Sequence, residues 1–473
     1  MNTKKIWICL LALCLFSASF CACQSKNQKP NETIETTDAP IDTSPVEIED
    51  EGVDFWKKYN AGFESATDGA VADFEIETAN GEVTILSYKG NQEHLRIPSA
   101  IDNLPVTAIA SGAFAENLTL KTLIIPESIT AIGDGILAKC ENLHTLQTPL
   151  MGADKESTQY LGYLFGAPRH EDNARDIPAS LICLSITGEW QSLPAYSLFD
   201  CNDLICLSLP ENLTVIEKFA LFNCASLRQI DGLEKVTVFG DRALMNCADL
   251  QIVTISNDAQ SIGFGSFEGC TSIRSMTMPF VGNSYTENTY LGYIFGASQP
   301  DFAKGFYPNK LVRVILTDSC QTLGNYAFFE CETLKEVVLP TGLTSIGVRA
   351  FYGCISLWSI KLPDSTTTVR ELAFANCDAL TTIDFGKGLS AIGINAFYHC
   401  DSLTEIILPT SLKSLPASCF AGCTALVKID FGGVVTVGAE AFRHCNAVTS
   451  VTAAGHVDFE KGNDTVKSLL KSK

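Results

Sequence analysis

The sequence predicts an α/β solenoid, and three observations lead to this prediction. Cysteines recur every 23 residues along much of the chain, as between Cys331 and Cys354, and a period in the twenties is typical of stacked repeats. These cysteines lie within a repeated unit of the form Ala-Phe-x-x-Cys-x-x-Leu-x-x-Ile-x-Leu-Pro, as in the segment that starts at Ala350. The octapeptides that start at Tyr160 and Tyr290 are nearly identical, which indicates that a block of 130 residues has been duplicated.

The chain starts with a segment typical of exported bacterial proteins. Two lysines precede an apolar run over residues 6–16, which is too short to span a bilayer and has the shape of a secretory signal. The sequence Phe-Cys-Ala-Cys at residues 20–23 resembles a bacterial lipobox. We therefore expect a signal peptide of lipoprotein type over residues 1–22 and lipidation at Cys23, with Cys21 or simple secretion as the alternatives.

Residues 23–60 are predicted to be an acidic, disordered tether. Between residues 31 and 54 there are nine acidic residues and no Lys or Arg, mixed with Thr and Pro. Such a segment buries too little apolar surface to offset the entropy lost on ordering, and its charges repel one another. We expect it to hold the folded part of the chain away from the membrane.

The repeats are expected over residues 113–452, between an N-terminal cap over 61–112 and a C-terminal cap or tail over 453–473. There are twelve units, each marked by a cysteine or, in the first unit, an asparagine. The marked positions are 117, 140, 201, 224, 247, 270, 331, 354, 377, 400, 423 and 445. Two long inserts, over about 150–187 and 280–317, interrupt the regular spacing.

Each unit predicts a short strand followed by tight turns. The Leu-x-x-Ile-x-Leu stretch has the alternation of a strand that faces a core, and the proline after it ends the strand. The Ala-Phe segment has room for about one helical turn. The Ile-Gly pair, as at Ile346 and Gly347, predicts a glycine with positive φ.

The inserts contain two matching aromatic clusters that are candidate contact residues. They are Tyr160, Tyr163 and Phe165 in the first insert, and Tyr290, Tyr293 and Phe295 in the second. Binding residues often lie on long excursions from a regular scaffold. The alternative is that these residues pack back on the solenoid and cover the break in register.

The repeated unit resembles the bacterial BspA-like leucine-rich repeats over about residues 113–452, and residues 81–114 resemble the usual N-terminal start of that family. The resemblance implies a right-handed leucine-rich-repeat superhelix of about twelve short strand-turn-helix repeats with two long inserted repeats. Members are typically surface or secreted proteins implicated in adhesion to host matrix proteins and to other cells. The resemblance therefore implies a similar role here.

No motif in the sequence points to catalysis. HExxH, G-x-S-x-G, a P-loop and G-x-G-x-x-G after a strand are all absent from the sequence. The repeated cysteines are expected to form an inward ladder of buried thiols, because one Cys per turn without C-x-x-C is not a metal-site pattern. A local disulfide between Cys419 and Cys423 is an alternative for these two cysteines. We expect no enzyme activity, no cofactor and no metal.

The residues that flank the inward Ile of each strand are expected to point outward and to pave one face of the solenoid. They are small and neutral in the N-terminal half, and charge concentrates from Arg313 onward. We therefore predict binding on the C-terminal half of this face, with Trp358 as an isolated aromatic anchor. The charged candidates are Arg313, Glu336, Lys361, Asp384, Glu405, Lys428 and Asp430.

These observations favour a binding or adhesion protein that is lipid-anchored at the extracellular face of the cell membrane. Its expected partners are host or neighbouring-cell surface proteins. The net charge of −21 and the absence of a basic stripe exclude nucleic acid. The alternatives are a surface lipoprotein that binds glycans or solutes, which predicts a closed pocket at the inserts, and a structural component of the envelope. The oligomeric state does not follow from the sequence.

Overall fold

The computed structural model describes residues 56–57 and 61–471. The predicted signal peptide, Cys23 and most of the predicted tether lie outside the described residues. The chain divides into two units, Met1–Asp42 and Thr43–Lys473, and every described residue belongs to the second.

Each turn of the backbone contributes one short strand to a series of parallel strands, which we call the first ladder. Neighbouring regular turns pair residues that are 23 apart, as in Ser359 with Thr382, so equivalent positions of the repeat lie side by side. Sixteen strands of the first ladder lie within the described residues, grouped by hydrogen bonding into four sheets. In chain order they are Thr67–Asp68, His94–Arg96, Thr122–Ile124, Thr145–Thr148, Cys183–Ile186, Cys206–Ser208, Gln229–Asp231, Ile252–Thr254, Ser275–Met278, Arg313–Leu316, Glu336–Val338, Ser359–Lys361, Thr382–Asp384, Glu405–Ile407, Lys428–Asp430 and Ser450–Thr452.

The ladder is longer than the twelve motif units. Each insert adds one strand, Cys183–Ile186 and Arg313–Leu316, so the inserts are enlarged turns of the solenoid itself. The predicted N-terminal cap adds two more strands, Thr67–Asp68 and His94–Arg96, and the second of these pairs directly with Thr122–Ile124. The solenoid therefore starts well before the expected boundary at residue 113.

A second ladder of shorter strands runs along another side of the turns. The second residue of each two-residue strand is usually a buried Ile, Leu or Val. Examples are Ile346 and Val369, which pair in register. Its strands are Leu104–Ile109, Ala131–Ile132, Ser192–Leu193, Val215–Ile216, Val238–Phe239, Ser261–Ile262, Thr322–Leu323, Ser345–Ile346, Thr368–Val369, Ala391–Ile392, Ser414–Leu415, Thr436–Val437 and Asp458–Phe459.

Antiparallel strands and short helices cover the ends of the array. At the N-terminal end, Phe74–Ala79 pairs with Glu82–Tyr88, and Ala100–Ile101 pairs with the start of Leu104–Ile109. Among the described residues the α-helices are Ala61–Ser65, Asn173–Asp176 and Asp464–Lys471, and the 3₁₀ helices are Val71–Asp73, Leu161–Phe165, His170–Asp172, Leu233–Lys235, Leu291–Phe295 and Pro300–Gly305. The helices between residues 161 and 176 and between residues 291 and 305 lie in the inserts rather than at the ends of the array. No helix among the described residues has the length and apolar character needed to cross a membrane.

The corners of the twelve units are tight turns rather than helices, and their buried phenylalanines form the centre of the core together with the leucines that replace them in four units, Leu137, Leu198, Leu221 and Leu244. Neighbouring rings of the C-terminal turns stack nearly parallel, with centroids between 4.9 and 5.6 Å apart. The stacked residues are Phe328, Phe351, Phe374, Phe397, Phe420 and Phe442. The strand pairing sets a spacing that suits aromatic contact, so the core is continuous from turn to turn.

The prediction that the glycine of the Ile-Gly pair has a positive φ is wrong. Gly347 and Gly393 do not have positive φ; a Cβ on Gly393 would instead lie 2.3 Å from the backbone nitrogen of Glu371 in the preceding turn. The left-handed residues lie at the corner, as in Asn395 and His399, each with φ of 54°. Glycine follows the Ile because two backbones approach each other closely there.

The cysteines at the repeated position are confirmed as buried thiols. Nine of them donate a weak hydrogen bond to a main-chain carbonyl of the preceding turn, as from Cys377 Sγ to Phe351 O at 3.1 Å. In the first unit Asn117 occupies the same position but acts as an acceptor, because its Oδ1 accepts from the backbone nitrogens of Thr119 and Leu120. The thiol therefore gives a second hydrogen bond to a turn carbonyl that already accepts from a backbone N–H, as Phe351 O does from Cys354 N at 3.2 Å.

We expect these thiols to be unreactive in the folded protein. Burial raises the pKa of Cys140 to about 11 and that of Cys331 to about 12, and the thiolate is the reactive form. All thirteen free cysteines of the described residues are buried, so Ellman's reagent at pH 8 should label none of them until guanidinium unfolds the chain. Rapid labelling of Cys331 under native conditions would contradict this expectation.

Candidate binding surface

The outward residues of the first ladder form two columns, defined by the first and third residue of each strand. The middle residue of each strand points into the core, as do Ile360 and Ile406. The predicted registry of both columns is confirmed by the strand pairing, for example Glu405 with Lys428 and Ile407 with Asp430. We call this surface the strand face.

The strand face differs between its two halves. In the first column, Thr122 and Thr145 are nearly inaccessible, with 1% and 3% of their surface exposed, whereas Thr382 and Lys428 are exposed. The covering element at the N-terminal half is helix Ala61–Ser65, which contacts the strand Thr122–Ile124. The surface that a partner can reach is therefore concentrated in the C-terminal half.

The charged candidates of the C-terminal half are arranged as cross-strand ion pairs. Arg313 Nε lies 3.1 Å from Glu336 Oε2, and Lys361 Nζ lies 3.8 Å from Asp384 Oδ2. Lys428 pairs with Glu405, and the hydrogen bond between these side chains raises the pKa of Lys428.

Arg313 and Glu336 are half-buried, whereas Lys361, Asp384 and Lys428 are exposed. Exposed ion pairs contribute little to stability, so the pairs made by the two lysines are available to orient a partner with complementary charge. The remaining charged candidate, Asp430, is held differently, because its Oδ1 accepts a hydrogen bond from Gly432 N at 3.0 Å. Its carboxylate is thereby fixed at the end of its strand.

Two exposed apolar residues lie among these charges. Val338 and Ile407 occupy the second column, and 37% and 58% of their surface is exposed. Sequence reasoning placed both residues in this column but did not select them. The available signal was a branched apolar residue in an outward slot otherwise filled by Lys or Asp. An apolar centre with a charged surround is the composition of many protein–protein contacts.

The structure places Trp358 less favourably than predicted. This residue precedes the strand Ser359–Lys361 and is half-buried. Its indole Nε1 is buried and has no hydrogen-bond partner among the described residues. A ligand could contact only the exposed part of the ring, so Trp358 is not a freely projecting anchor.

The aromatic clusters of the inserts largely pack back on the solenoid, which is the alternative given for them above, so their buried members are not accessible as contact residues. Phe165, Tyr290 and Phe295 are buried, with 3%, 6% and 1% of their surface exposed. Tyr160 and Tyr163 are half-buried, and their hydroxyls donate to Ala167 O at 2.8 Å and to Ile132 O at 3.0 Å.

Tyr293 is likewise half-buried, and burial raises its pKa. The reason lies in the backbone. Helix Leu161–Phe165 occupies the corner position of a turn, since Leu137 N donates to Leu164 O and Leu161 N donates to Ser197 O. The aromatic residues therefore fill the same core that the Ala-Phe corners fill elsewhere.

The family assignment follows from the repeats. The BspA type leucine rich repeat region matches in six copies, over residues 87–155, 179–292, 303–386 and 348–461, which together are well over half of the chain. The chain belongs to the BspA-type leucine-rich repeat family. No curated protein matches it in sequence.

Three of the solved structures similar to this BspA-type chain are leucine-rich repeat proteins of bacteria. A leucine-rich repeat protein of Bacteroides ovatus is 20% identical, with 84% of this chain and 100% of that chain covered and a TM-score of 0.32. A leucine rich cell surface protein of Faecalibacterium prausnitzii is 19% identical, covering 82% and 94%, with a TM-score of 0.26. A leucine-rich repeat protein of Eubacterium ventriosum is 18% identical, covering 81% and 90%, with a TM-score of 0.33.

The BspA-type solenoid also contains a disulfide that the sequence reasoning missed. Cys183 and Cys206 are bonded, with their Cα atoms 4.8 Å apart on neighbouring strands of the first ladder. The signal was present, because both occupy the first outward column one turn apart. Cys419 and Cys423, for which a local bridge stayed open, are both free thiols.

The cavity at the first insert and the search for metal-ligand clusters give little support for a small-molecule or metal site at the inserts of this BspA-type chain. Beside the first insert a half-open cavity of about 210 Å³ is lined by Trp190, Gln159 and Lys155 among others, which is below the usual size of a ligand pocket. A larger cavity of about 640 Å³ lies between the last strand and helix Asp464–Lys471. The described residues contain no group of three or more His, Cys, Asp or Glu side chains suited to a metal ion.

Proposed function

We propose that this protein is a surface-anchored, non-catalytic binding protein that attaches to proteins of host or neighbouring-cell surfaces through the C-terminal half of its strand face. The observation that supports this most directly is the pairing of exposed apolar residues, Val338 and Ile407, with rows of cross-strand ion pairs. Leucine-rich repeats typically serve protein–protein interaction, and repeat arrays offer long, rigid surfaces for it.

In this proposal the apolar and charged residues act differently. Burial of Ile407 and Val338 under a partner supplies affinity, since apolar surface removed from water contributes roughly 25 cal/mol per Å². The ion pairs around them supply orientation and the rate of encounter more than affinity. We expect the partner surface to be an apolar protrusion with both signs of charge around it.

The test is a charge placed at the apolar centre. Ile407→Asp sets a carboxylate beside the paired Asp430 and removes apolar contact, so affinity should fall at least about tenfold, as for a contact near the centre of an interface. A pull-down against matrix and cell-surface proteins would identify the ligand, and surface plasmon resonance would measure the loss. Ile394→Asp is the matched control, because Ile394 is 50% exposed at a corner away from the strand face. Equal affinity of both variants would refute the proposed surface.

The alternative of a surface lipoprotein that binds glycans or solutes predicts a closed pocket at the inserts. The cavity beside the first insert is small and half-open, so this alternative has less support. It would replace our proposal if a glycan array gave clear hits while the protein pull-down recovered nothing. A structural role in the envelope would be favoured if only envelope components were recovered.

We also propose anchoring through a lipid on Cys23, which lies outside the described residues. The support is the lipobox-like sequence at residues 20–23 followed by the acidic stretch. Cys23→Ala should move the protein from the membrane fraction to the medium, as measured by immunoblot. Continued membrane retention would contradict anchoring at Cys23, and Cys21→Ala is the control for the alternative cysteine.

A further inference from the structure

The covering of the N-terminal half of the strand face involves a defined segment, residues 56–57 and 61–65, which we call the N-terminal strap. Its two aromatic rings, Trp56 and Phe63, stack with centroids 5.8 Å apart at an interplanar angle of 28°. The backbone nitrogen of Trp56 donates to Gln229 Oε1 at 3.1 Å. Gln229 belongs to the first outward column, so the strap bonds directly to the strand face.

The other end of the strap fits against a pair of threonines. A Cβ on Gly62 would lie 2.3 Å from Thr122 Oγ1 and 2.9 Å from Thr145 Oγ1, so only glycine allows this approach. The positions of the two threonine hydroxyls are fixed by a hydrogen bond between them, in which Thr145 Oγ1 donates to Thr122 Oγ1 at 2.7 Å. His94 Nδ1 is 2.9 Å from the same Thr122 hydroxyl. This end of the contact is therefore shaped for a small residue.

The Cys183–Cys206 disulfide lies between these two contact points. In the first column Thr145 pairs with Cys183, Cys183 with Cys206, and Cys206 with Gln229. Both cysteines have no exposed surface, although their column is exposed at Thr382 and Lys428 in the C-terminal half. The disulfide is thus buried at a position that faces outward elsewhere in the solenoid.

We propose that the strand face from Thr122 to Gln229 is a peptide-docking groove, that the N-terminal strap is its resident ligand, and that the docked strap shields the Cys183–Cys206 disulfide. The ligand chemistry is a short peptide with a stacked aromatic pair, in which a glycine approaches the hydroxyls of Thr122 and Thr145 and a backbone N–H donates to Gln229. Occupation of this groove directs other protein partners to the C-terminal half of the strand face. The inference stands without the proposed function, because it concerns a contact within the chain.

Disulfide accessibility in the full mature chain tests this inference. Trp56→Ala combined with Phe63→Ala removes the aromatic pair, and Gly62→Val independently creates the clash with Thr122. In each variant we expect reduction of Cys183–Cys206 by a phosphine to be about tenfold faster or more, since protection then depends on local opening. Maleimide trapping and peptide mass spectrometry measure the rate. Glu64→Ala is the matched control, because Glu64 is exposed on the same helix and should leave the rate unchanged.

The pattern of labelling separates strap release from unfolding. Release exposes only Cys183 and Cys206, whereas unfolding also exposes the buried thiols of the repeats, such as Cys377. A synthetic peptide of residues 56–66, added to the Trp56→Ala, Phe63→Ala chain, should restore protection. Wild-type reduction rates in both strap variants, or no protection by the peptide, would overturn the inference. Neither readout uses an external protein, so its failure is distinct from failure of the proposed binding surface.

Discussion

Replacement of Phe374 by Ala should lower the free energy of unfolding by about 3–5 kcal/mol, the range for a large aromatic residue in a packed core. Phe374 is fully buried and stacks between Phe351 at 4.9 Å and Phe397 at 5.2 Å. The hydrogen-bonded turns on both sides fix the spacing of the stack, so the neighbouring rings cannot close the cavity. Because each repeat is stabilised by its neighbours, the loss affects two interfaces at once.

Chemical denaturation followed by far-ultraviolet circular dichroism measures this loss. Ile394→Ala is the control, because Ile394 lies in the next unit and is 50% exposed; its substitution should change the stability by less than about 0.5 kcal/mol. A loss below about 1 kcal/mol for Phe374→Ala would mean that the stack relaxes freely, which would contradict a core of fixed spacing.

The register of the solenoid could be predicted because it depends on local spacing. A period of 23 residues forces equivalent positions into neighbouring strands, so the inward and outward columns followed from counting. The same counting placed Cys183 and Cys206 on neighbouring strands. Their disulfide was not predicted because only the cysteines at the repeated position were considered as a group. Once two cysteines share an outward column in adjacent turns, cross-strand bonding is a direct expectation.

The N-terminal strap could not be predicted because its contacts are distant in sequence. Trp56 bonds to Gln229 across 173 residues, and no periodicity links the two positions. The small, neutral character of the N-terminal half of the strand face was noticed, but it gave no indication of an occupant. Small side chains such as Thr122 and Thr145 make room for a covering segment as readily as they make an inert surface.

The inserts show why aromatic content alone does not identify a binding surface. The Tyr and Phe residues that recur in both copies of the insert fill a corner of the core. Two aromatic residues of the second insert, Phe302 and Phe306, are 61% and 40% exposed. The equivalent residues of the first insert, 130 positions earlier, are Asp172 and Asp176. The insert therefore does not need phenylalanine at these two positions to fold. Comparison of the two copies distinguishes core residues from variable surface residues better than composition does.

Substitution of Gly393 by Ala should destabilise the protein by about 1–3 kcal/mol, the usual range for overpacking. The new Cβ would lie 2.3 Å from Glu371 N and 2.5 Å from Arg370 C, and both are backbone atoms that cannot rotate away. The turn cannot retreat either, because Gly393 N donates to Val369 O at 2.8 Å. Relief of the clash therefore requires separation of two turns and loss of their hydrogen bond.

The same substitution at Gly342 should stabilise the protein instead. No atom lies within 4 Å of a Cβ built there, and its φ is not positive, so alanine fits without strain. Since alanine restricts the unfolded chain, we expect a gain of about 0.4–1 kcal/mol. Thermal and chemical denaturation of the two variants gives the comparison. An equal change at Gly342 and Gly393 would assign the effect to the unfolded chain, whereas opposite signs follow only if close backbone approach selects the glycine after each Ile.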